Sequence, residues 1–278
     1  MSFDPTRIAA YTADDARLWS WTDEDEGTHV GYIADHEEGV SMGMAFVRFR
    51  RGVRFEFTWP YDEVSVVTKG SLTIHTGGRR ITAREGEILN QPRGVPGTFE
   101  IEEDLEMICV HYPTFAKAQG LTLAEYKADT DTDTDHESSA PVVAPRGPEA
   151  GGGFFDPTTM QVFSISDVPQ WITLDANHGA YVGYLADKAE GSPMGMAYSD
   201  FRRGGVFEFD FPYDEVAAVT QGAFTVRSEG RVFRVRAGEM LYMPKGVSAV
   251  FEIEEDTVAV GLHYPTYEDG FGTPPHQA

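Results

Sequence analysis

Cysteine is nearly missing from this chain of 278 residues, in which Cys109 stands alone. One thiol cannot close an internal disulfide, which points to a reducing, cytoplasmic setting and excludes a disulfide-stapled secreted scaffold. Its neighbours Met107, Ile108 and Val110 are apolar, so Cys109 reads as a small buried side chain rather than a nucleophile. Basic residues are scarce too, 22 Lys and Arg against 45 Asp and Glu, for a net charge of −23. Nucleic acid and anionic membrane would both repel such a chain, and neither is expected as a partner. Part of that charge sits in one tract, Asp129 to Glu137, so the folded parts are less acidic than the total. No apolar run approaches the ~20 residues of a membrane-spanning helix, and no basic segment followed by an apolar run marks a signal peptide. The 41% hydrophobic and 24% charged residues are those of a globular protein with length enough for two cores.

The chain carries an internal repeat. Phe55 to Gly70 returns from Phe207 to Gly222, with Phe55, Glu56, Phe57, Pro60, Tyr61, Asp62, Glu63, Val64, Thr68 and Gly70 matched at a constant offset of 152 residues. The same offset carries Phe3-Asp4-Pro5-Thr6 onto Phe155-Asp156-Pro157-Thr158, Trp19 onto Trp171, and His111-Tyr112-Pro113-Thr114 onto His263-Tyr264-Pro265-Thr266. An ungapped repeat of this length means one folding unit used twice.

Within each unit, short stretches such as Val53 to Phe57, Val64 to Val67 and Ser71 to His75 cluster or alternate apolar residues between Gly and Asp-Glu breaks. That spacing predicts an all-β sandwich or barrel. Thr76-Gly77-Gly78 is a hairpin signal, echoed by Ser228-Glu229-Gly230. A lead-in segment with Trp19 and Trp21 is expected to staple onto a sheet, and a short helix is expected from Leu121. The Asp-Thr repeats and Pro, Ala and Gly of Asp129 to Gly153 cannot bury enough apolar area to offset ordering entropy and read as a linker. The expected units are therefore residues 1–128, linker 129–153, and residues 154–278.

Gly70, Gly86, Pro92 and Gly94, with Gly222, Gly238, Pro244 and Gly246 in the second copy, resemble the two signature motifs of cupins, small jelly-roll β-barrels. Glu63 and Glu215 sit where the first motif has its Glu. The chain thus resembles a bicupin, which implies an all-β fold of two tandem barrels with few short helices. The family's metal site of three His and one Glu is departed from at three of its four positions. Phe57 and Trp59, or Phe209 and Phe211, replace the paired histidines, and Gly97 or Ala249 replaces the third. None of these side chains donates to a divalent metal, so no metal and no cofactor is expected. The wording around Pro60-Tyr61-Asp62-Glu63-Val64 is similar to cupins of the ethanolamine-utilisation EutQ type, and more distantly to bicupin ureidoglycine aminohydrolases. The aminohydrolases' manganese set has no counterpart, because no histidine lies between Glu56 and Glu63 or between Glu208 and Glu215.

Alternation along a strand sorts the candidates. With Phe55, Phe57 and Trp59 inward, the barrel interior is aromatic with Glu63 at its edge, and these rings either fill the core or form a ligand wall. With the longer motif spacing, Glu56 and Thr58 point in, and Glu208, Asp210 and Glu215 form a carboxylate cluster. Glu63 and Glu215 are the acid–base candidates, since desolvation beside aromatics raises a carboxyl pKa; the alternative is a structural carboxylate at the turn after Asp62. Tyr61 and Tyr213 either orient a ligand or close the barrel mouth. His111 and His263, histidines at matched positions, either pack or complete an acid–base pair with Glu63 and Glu215. Arg50 precedes the signature strand and offers a fork for an anion or a salt bridge to Glu100, Glu102 or Glu103. Ser65, Asn90, Gln91 and Lys69 face Ala217, Tyr242, Met243 and Gln221 at the offset, which tilts the expected working site to the N-terminal barrel.

These residues leave three functions open: metal-free acid–base chemistry (lyase, isomerase or hydrolase type) on a small metabolite, a metalloenzyme with atypical ligands, and a non-catalytic binding protein. The EutQ resemblance implies a link to small aldehyde or acetate metabolism, including kinase-type activity. No Gly-x4-Gly-Lys-Ser/Thr loop is present to cradle a phosphate. Fused barrels satisfy the pairing of single-barrel cupins within one chain, so a monomer or a homodimer is expected.

Overall fold

The computed structural model describes residues 3–16, 18–23 (as backbone), 27–125, 154–175 and 179–271. The side chains of Trp19 and Trp21 and the linker 129–153 lie outside the described residues, while the backbone of 18–23 pairs as a strand in the sheet. The helix expected from Leu121 is described as far as residue 125 and is helical from Leu123. The first half runs β1 (Ala9–Tyr11), β2 (Leu18–Asp23), β3 (Thr28–Ala34), β4 (Gly43–Phe49), β5 (Arg54–Thr58), β6 (Asp62–Lys69), β7 (Ser71–Thr76), β8 (Arg79–Arg84), β9 (Ile88–Gln91), β10 (Pro96–Ile101), β11 (Leu105–Tyr112) and α1 (Phe115–Gln119). The second half repeats it as β12 (Gln161–Phe163), β13 (Trp171–Asp175), β14 (Ala180–Ala186), β15 (Gly195–Phe201), β16 (Val206–Asp210), β17 (Asp214–Gln221), β18 (Ala223–Ser228), β19 (Arg231–Arg236), β20 (Met240–Met243), β21 (Ser248–Ile253), β22 (Thr257–Tyr264) and α2 (Tyr267–Phe271).

Each half folds as a jelly-roll barrel in which a seven-stranded antiparallel sheet faces a four-stranded one. The fold is the expected one, all-β in two tandem barrels with short helices. The expected hairpins form as β7–β8 and β18–β19. No helix of the described residues is long and apolar enough to cross a membrane.

The long sheets bury both faces, and this decides where each side chain goes. Along β6, Val64 and Val66 enter a core cluster shared with Val216, Ala218, Tyr242 and Leu262 of the other half. Alternating with them, Glu63 and Ser65 turn into the barrel, where Val67 joins its interior core. The barrels therefore pack back to back through their large sheets. Tyr112 and Tyr264 stack across that junction with ring centroids 4.2 Å apart and hydroxyls 2.7 Å apart.

The first strand of each half pairs in the other barrel. β1 adds to β20, Ala9 opposite Tyr242, and β12 adds to β9, Gln161 opposite Asn90. These pairings cross the boundaries expected at 1–128 and 154–278. Each exchanged strand covers backbone N–H and C=O groups that would otherwise form an open sheet edge. Ile8 and Met160, next to the exchanged strands, are buried in the interior cores of the barrels they join.

Removing residues 1–12 is expected to expose β20 and leave β9 covered. Amide hydrogen exchange should rise strongly over Met240–Met243 and little over Ile88–Gln91; the reverse pattern would contradict the exchanged pairing.

Candidate functional site

β5 shows alternation in its burial, with Arg54, Glu56 and Thr58 exposed and Phe55 and Phe57 turned inward. Phe55, Phe57 and Trp59 line the N-terminal barrel's cavity together with Glu63, Gln91 and His111. The alternative register is thereby excluded. Glu208 and Asp210 are exposed on β16, and Asp210 accepts a hydrogen bond from Ser248, so no carboxylate cluster forms with Glu215.

In the N-terminal barrel the polar side chains satisfy one another. The Trp59 indole donates to Gln91 Oε1 at 2.7 Å, and Gln91 Nε2 donates to Glu63 Oε1 and Ser65 Oγ at 3.1 and 2.9 Å. Ser65 Oγ also donates to Glu63 Oε1 at 3.1 Å and lies 3.2 Å from Cys109 Sγ. Burial pushes the Glu63 carboxyl above its ordinary range, against the pull of His111, Ser65, Gln91 and Cys109. Burial, with Glu63 beside it, also pushes the Cys109 thiol far up, which fits an inert packing role. The remaining cavity is about 50 Å³.

The C-terminal barrel keeps the carboxylate and loses its partners. At the offset of 152, Trp59 becomes Phe211, Gln91 becomes Met243, Ser65 becomes Ala217 and Cys109 becomes Gly261. A Cβ at 261 would lie 2.7 Å from Glu215 Oε1, so Glu215 occupies room that only glycine leaves. Burial alone lifts the Glu215 carboxyl from 4.5 to about 7, with no hydrogen bond opposing it. Protein surrounds the group, yet it borders open cavity and keeps some accessible surface. That cavity measures about 130 Å³ and is walled by Phe209, Phe211, Tyr213, Tyr184 and Met243. A dry engineered cavity of ~150 Å³ takes up benzene, so the space suits a small organic molecule.

His111 and His263 line the same cavities as Glu63 and Glu215, but their Nε2 atoms turn toward buried aspartates. His111 Nε2 lies 3.1 Å from Asp35 Oδ2, and His263 Nε2 lies 3.6 Å from Asp187 Oδ2, beyond hydrogen-bond reach. Burial raises the Asp35 carboxyl, but His111 and the His36 and Ala116 N–H groups outweigh it and hold the carboxyl below its ordinary range. Burial pushes the His263 imidazole down, against the pull of Asp187. Asp35 also accepts from the N–H groups of Phe115 and Ala116, and Asp187 from Tyr267, tying both short helices to the barrels. The rings lie over Gly43 and Gly195, where a Cβ would come within 1.9 Å of Nε2. Tyr61 and Tyr213 stack on the two imidazoles at 4.3 and 4.1 Å and are 3% exposed, which is packing beneath the mouth.

Two candidates lie elsewhere. Asn90 shares the face of Ile88 on β9 and so points to the inter-barrel side, its Nδ2 buried without a hydrogen-bond partner. Gln91, one residue on, takes the interior instead because strand side chains alternate. Arg50 is exposed, with its stem folded over Gly27, and does not line the cavity. Lys69 is likewise outside, 3.4 Å from Glu106. The expected tilt toward the N-terminal barrel rests on Ser65, Asn90, Gln91 and Lys69, of which Ser65 and Gln91 are bonded to Glu63, Asn90 faces away and Lys69 lies outside. Asp35, Asp187 and Gly261 were missed. The aspartates repeat at the common offset, and Cys109 against Gly261 was legible as a difference at that offset.

Among the described residues no three His, Cys, Asp or Glu side chains come together to hold a metal ion. The cupin ligand positions carry rings and small side chains inside the barrels, so the residues present do not fit the metal of that fold.

The family pattern of the ethanolamine utilisation protein EutQ matches residues 15–117 and 161–268, more than half of the chain. A relative in Clostridioides difficile (strain 630), acetate kinase EutQ, is 31% identical over 77 residues, which are 28% of this chain. The chain spans about half of that relative, 48% of its length. Among solved structures, a deletion mutant of Bacillus subtilis oxalate decarboxylase OxdC superimposes with a TM-score of 0.60 at 16% identity, over 93% of this chain and 77% of the other. Protein Ylba from E. coli gives 0.63 at 12% identity, over 95% and 93%. At these identities the likeness is one of fold.

Gln91→Met would leave the Trp59 indole without its acceptor and take one of its donors from Glu63, and is expected to cost about 2 kcal/mol or more. Met243→Leu, which conserves volume, should stay under about 1.5 kcal/mol; urea unfolding of both variants checks the contrast. Glu215 binds its proton more tightly in the folded state, so stability is lost as pH rises from about 5 to 8, by roughly 3 kcal/mol. Glu215→Gln lacks this loss and is expected to gain on the wild type by that amount over the same interval.

Proposed function

The chain belongs to the family of the ethanolamine utilisation protein EutQ, and from that premise we propose that its C-terminal barrel is a small-molecule site where Glu215 moves a proton to or from the ligand. The N-terminal barrel serves as its structural counterpart. One observation carries the reading: two homologous carboxyls share one framework, and only Glu215 combines an open cavity with a pKa near neutrality. A carboxyl poised near the working pH has the greatest use as a general acid or base. Tyr184 and Tyr213, hydrogen-bonded to each other beside it, orient the ligand. The chemistry is of the lyase, isomerase or hydrolase type.

Phosphoryl transfer, the activity in the name of the Clostridioides relative, runs on cations placed around the phosphates. The residues lining this cavity include no Lys or Arg, which favours proton transfer for this chain. A second reading, ligand binding without turnover, draws support from Glu215 having no hydrogen-bonded acid or base partner among the described residues. The single buried cysteine suits a cytoplasmic setting.

Methionine methyl groups distinguish the barrels, since Met243 lines the C-terminal cavity and Met107 the N-terminal one. In a screen of small metabolites against [13C-methyl]-methionine protein, binding compounds are expected to shift Met243 and leave Met107 in place. Turnover of any such compound should vanish in Glu215→Gln and survive in Glu63→Gln. Ligands that shift only Met107 would sink the assignment, and binding without turnover would select the second reading.

A further inference from the structure

The walls of the C-terminal cavity are one-sided in charge. Phe209, Phe211, Phe251 and Tyr213 line it, and an aromatic face carries the negative lobe of the ring quadrupole. Glu215 borders it without a hydrogen bond from any described residue, and the lining includes no Lys, Arg, Asn or Gln. His263, also in the lining, has its pKa lowered by burial, so it adds no positive charge near neutrality. The hydroxyls of Ser199, Tyr184, Tyr213 and Tyr267 are its neutral donors, and none of them brings a positive charge. An anion entering here exchanges its hydration shell for ring faces and a carboxylate. A cation finds the opposite.

The N-terminal barrel shows what Glu215 lacks. There the amide Nε2 of Gln91 donates to Glu63, and the indole of Trp59 closes over that amide. Met243 and Phe211 stand at those two positions in the C-terminal barrel, so the N–H donor of one barrel is missing in the other, beside open cavity. An ammonium group in that space restores the missing N–H contact and brings the charge that a desolvated carboxylate needs. Methyl or methylene groups around it meet aromatic rings, the surroundings in which quaternary and primary ammonium ions are bound.

Resting on the reading of this cavity as the ligand site, we propose that its ligands are small organic cations, primary or methylated ammonium compounds, with Glu215 as counter-ion and the rings of Phe209, Phe211 and Tyr213 as the enclosing wall. The cavity of about 130 Å³ limits the ligand to a few heavy atoms, comparable to benzene in its ~150 Å³ cavity. The titratable groups facing Glu215 are Tyr213 just before β17, Tyr184 on β14, Tyr267 on α2 and His263 on β22, with Asp187 behind His263. Burial raises all three phenols and lowers the imidazole, and its partners hold Asp187 low. Glu215, with its carboxyl raised to about 7, changes charge between pH 6 and 8.

The experiment titrates the full chain, [13C-methyl]-methionine labelled, with tetramethylammonium chloride, methylammonium chloride, tert-butanol and sodium acetate at constant ionic strength. The ammonium ions are expected to shift Met243, with Kd falling about tenfold from pH 6 to 8 as Glu215 ionises. tert-Butanol, the uncharged isostere, should show little pH dependence. Glu215→Gln should weaken tetramethylammonium about tenfold or more while tert-butanol stays within about twofold. Phe211→Leu, which keeps the bulk and removes a ring, should weaken the cation several-fold and spare tert-butanol, so the idea is testable should either variant fold poorly. Acetate shifting Met243 more tightly at low pH, with no response to the ammonium ions, would overturn the cation class and leave the cavity as the site. Silence of Met243 toward all four probes would overturn both.

Discussion

Desolvation of the carboxyl on β6 and β17 is the constraint around which both barrels are arranged. A strand with one face on the barrel interior and the other on the partner barrel leaves water no easy approach to that position. A carboxylate there must find donors, acquire a counter-ion or keep its proton. The N-terminal barrel supplies donors, through Gln91 and Ser65, and in doing so fills its own interior. The C-terminal barrel supplies none, and Glu215 responds by holding its proton up to about pH 7. Closed and open cavities are thus two answers to one electrostatic problem.

The rest of the architecture keeps that problem in place. The back-to-back core excludes water from the outer face of the long sheets, and the exchanged strands β1 and β12 seal the edges beside β20 and β9. Those edges carry Met243 and Gln91, the residues that decide how each carboxyl is treated. Each barrel's first strand therefore supports the wall of the other barrel's cavity. The buried Asp35–His111 and Asp187–His263 pairs hold the short helices against the barrels, and their imidazoles support Tyr61 and Tyr213. Substitution at Gly43 or Gly195 would strike this support from behind.

Much of the fold was legible in the residues. An offset repeated without gaps, strand-length apolar stretches and the glycines of two signature motifs led to two all-β barrels. Alternation put Phe55, Phe57 and Trp59 on one face, and the structure decided that this face is the inward one of the two registers left open. The site was legible only in part. Glu63, Glu215 and the histidines were picked out because polar residues inside an apolar barrel stand out by type. Asn90 and Arg50 were misplaced because reading a pocket from sequence needs the face of each strand and the path of each loop.

The amino-acid order alone determined that one unit is used twice, that it is β-rich, and that the cupin metal ligands are replaced by side chains with no donor atoms. These are properties of residue type and spacing, and they survive without knowledge of any contact. Tertiary structure alone decided that the leading strands change barrels, that Gln91 closes on Glu63, and that Gly261 leaves Glu215 facing open space. These outcomes depend on atoms brought together from strands distant in sequence, where a difference of one side chain sets whether a buried charge is paired or exposed to a ligand.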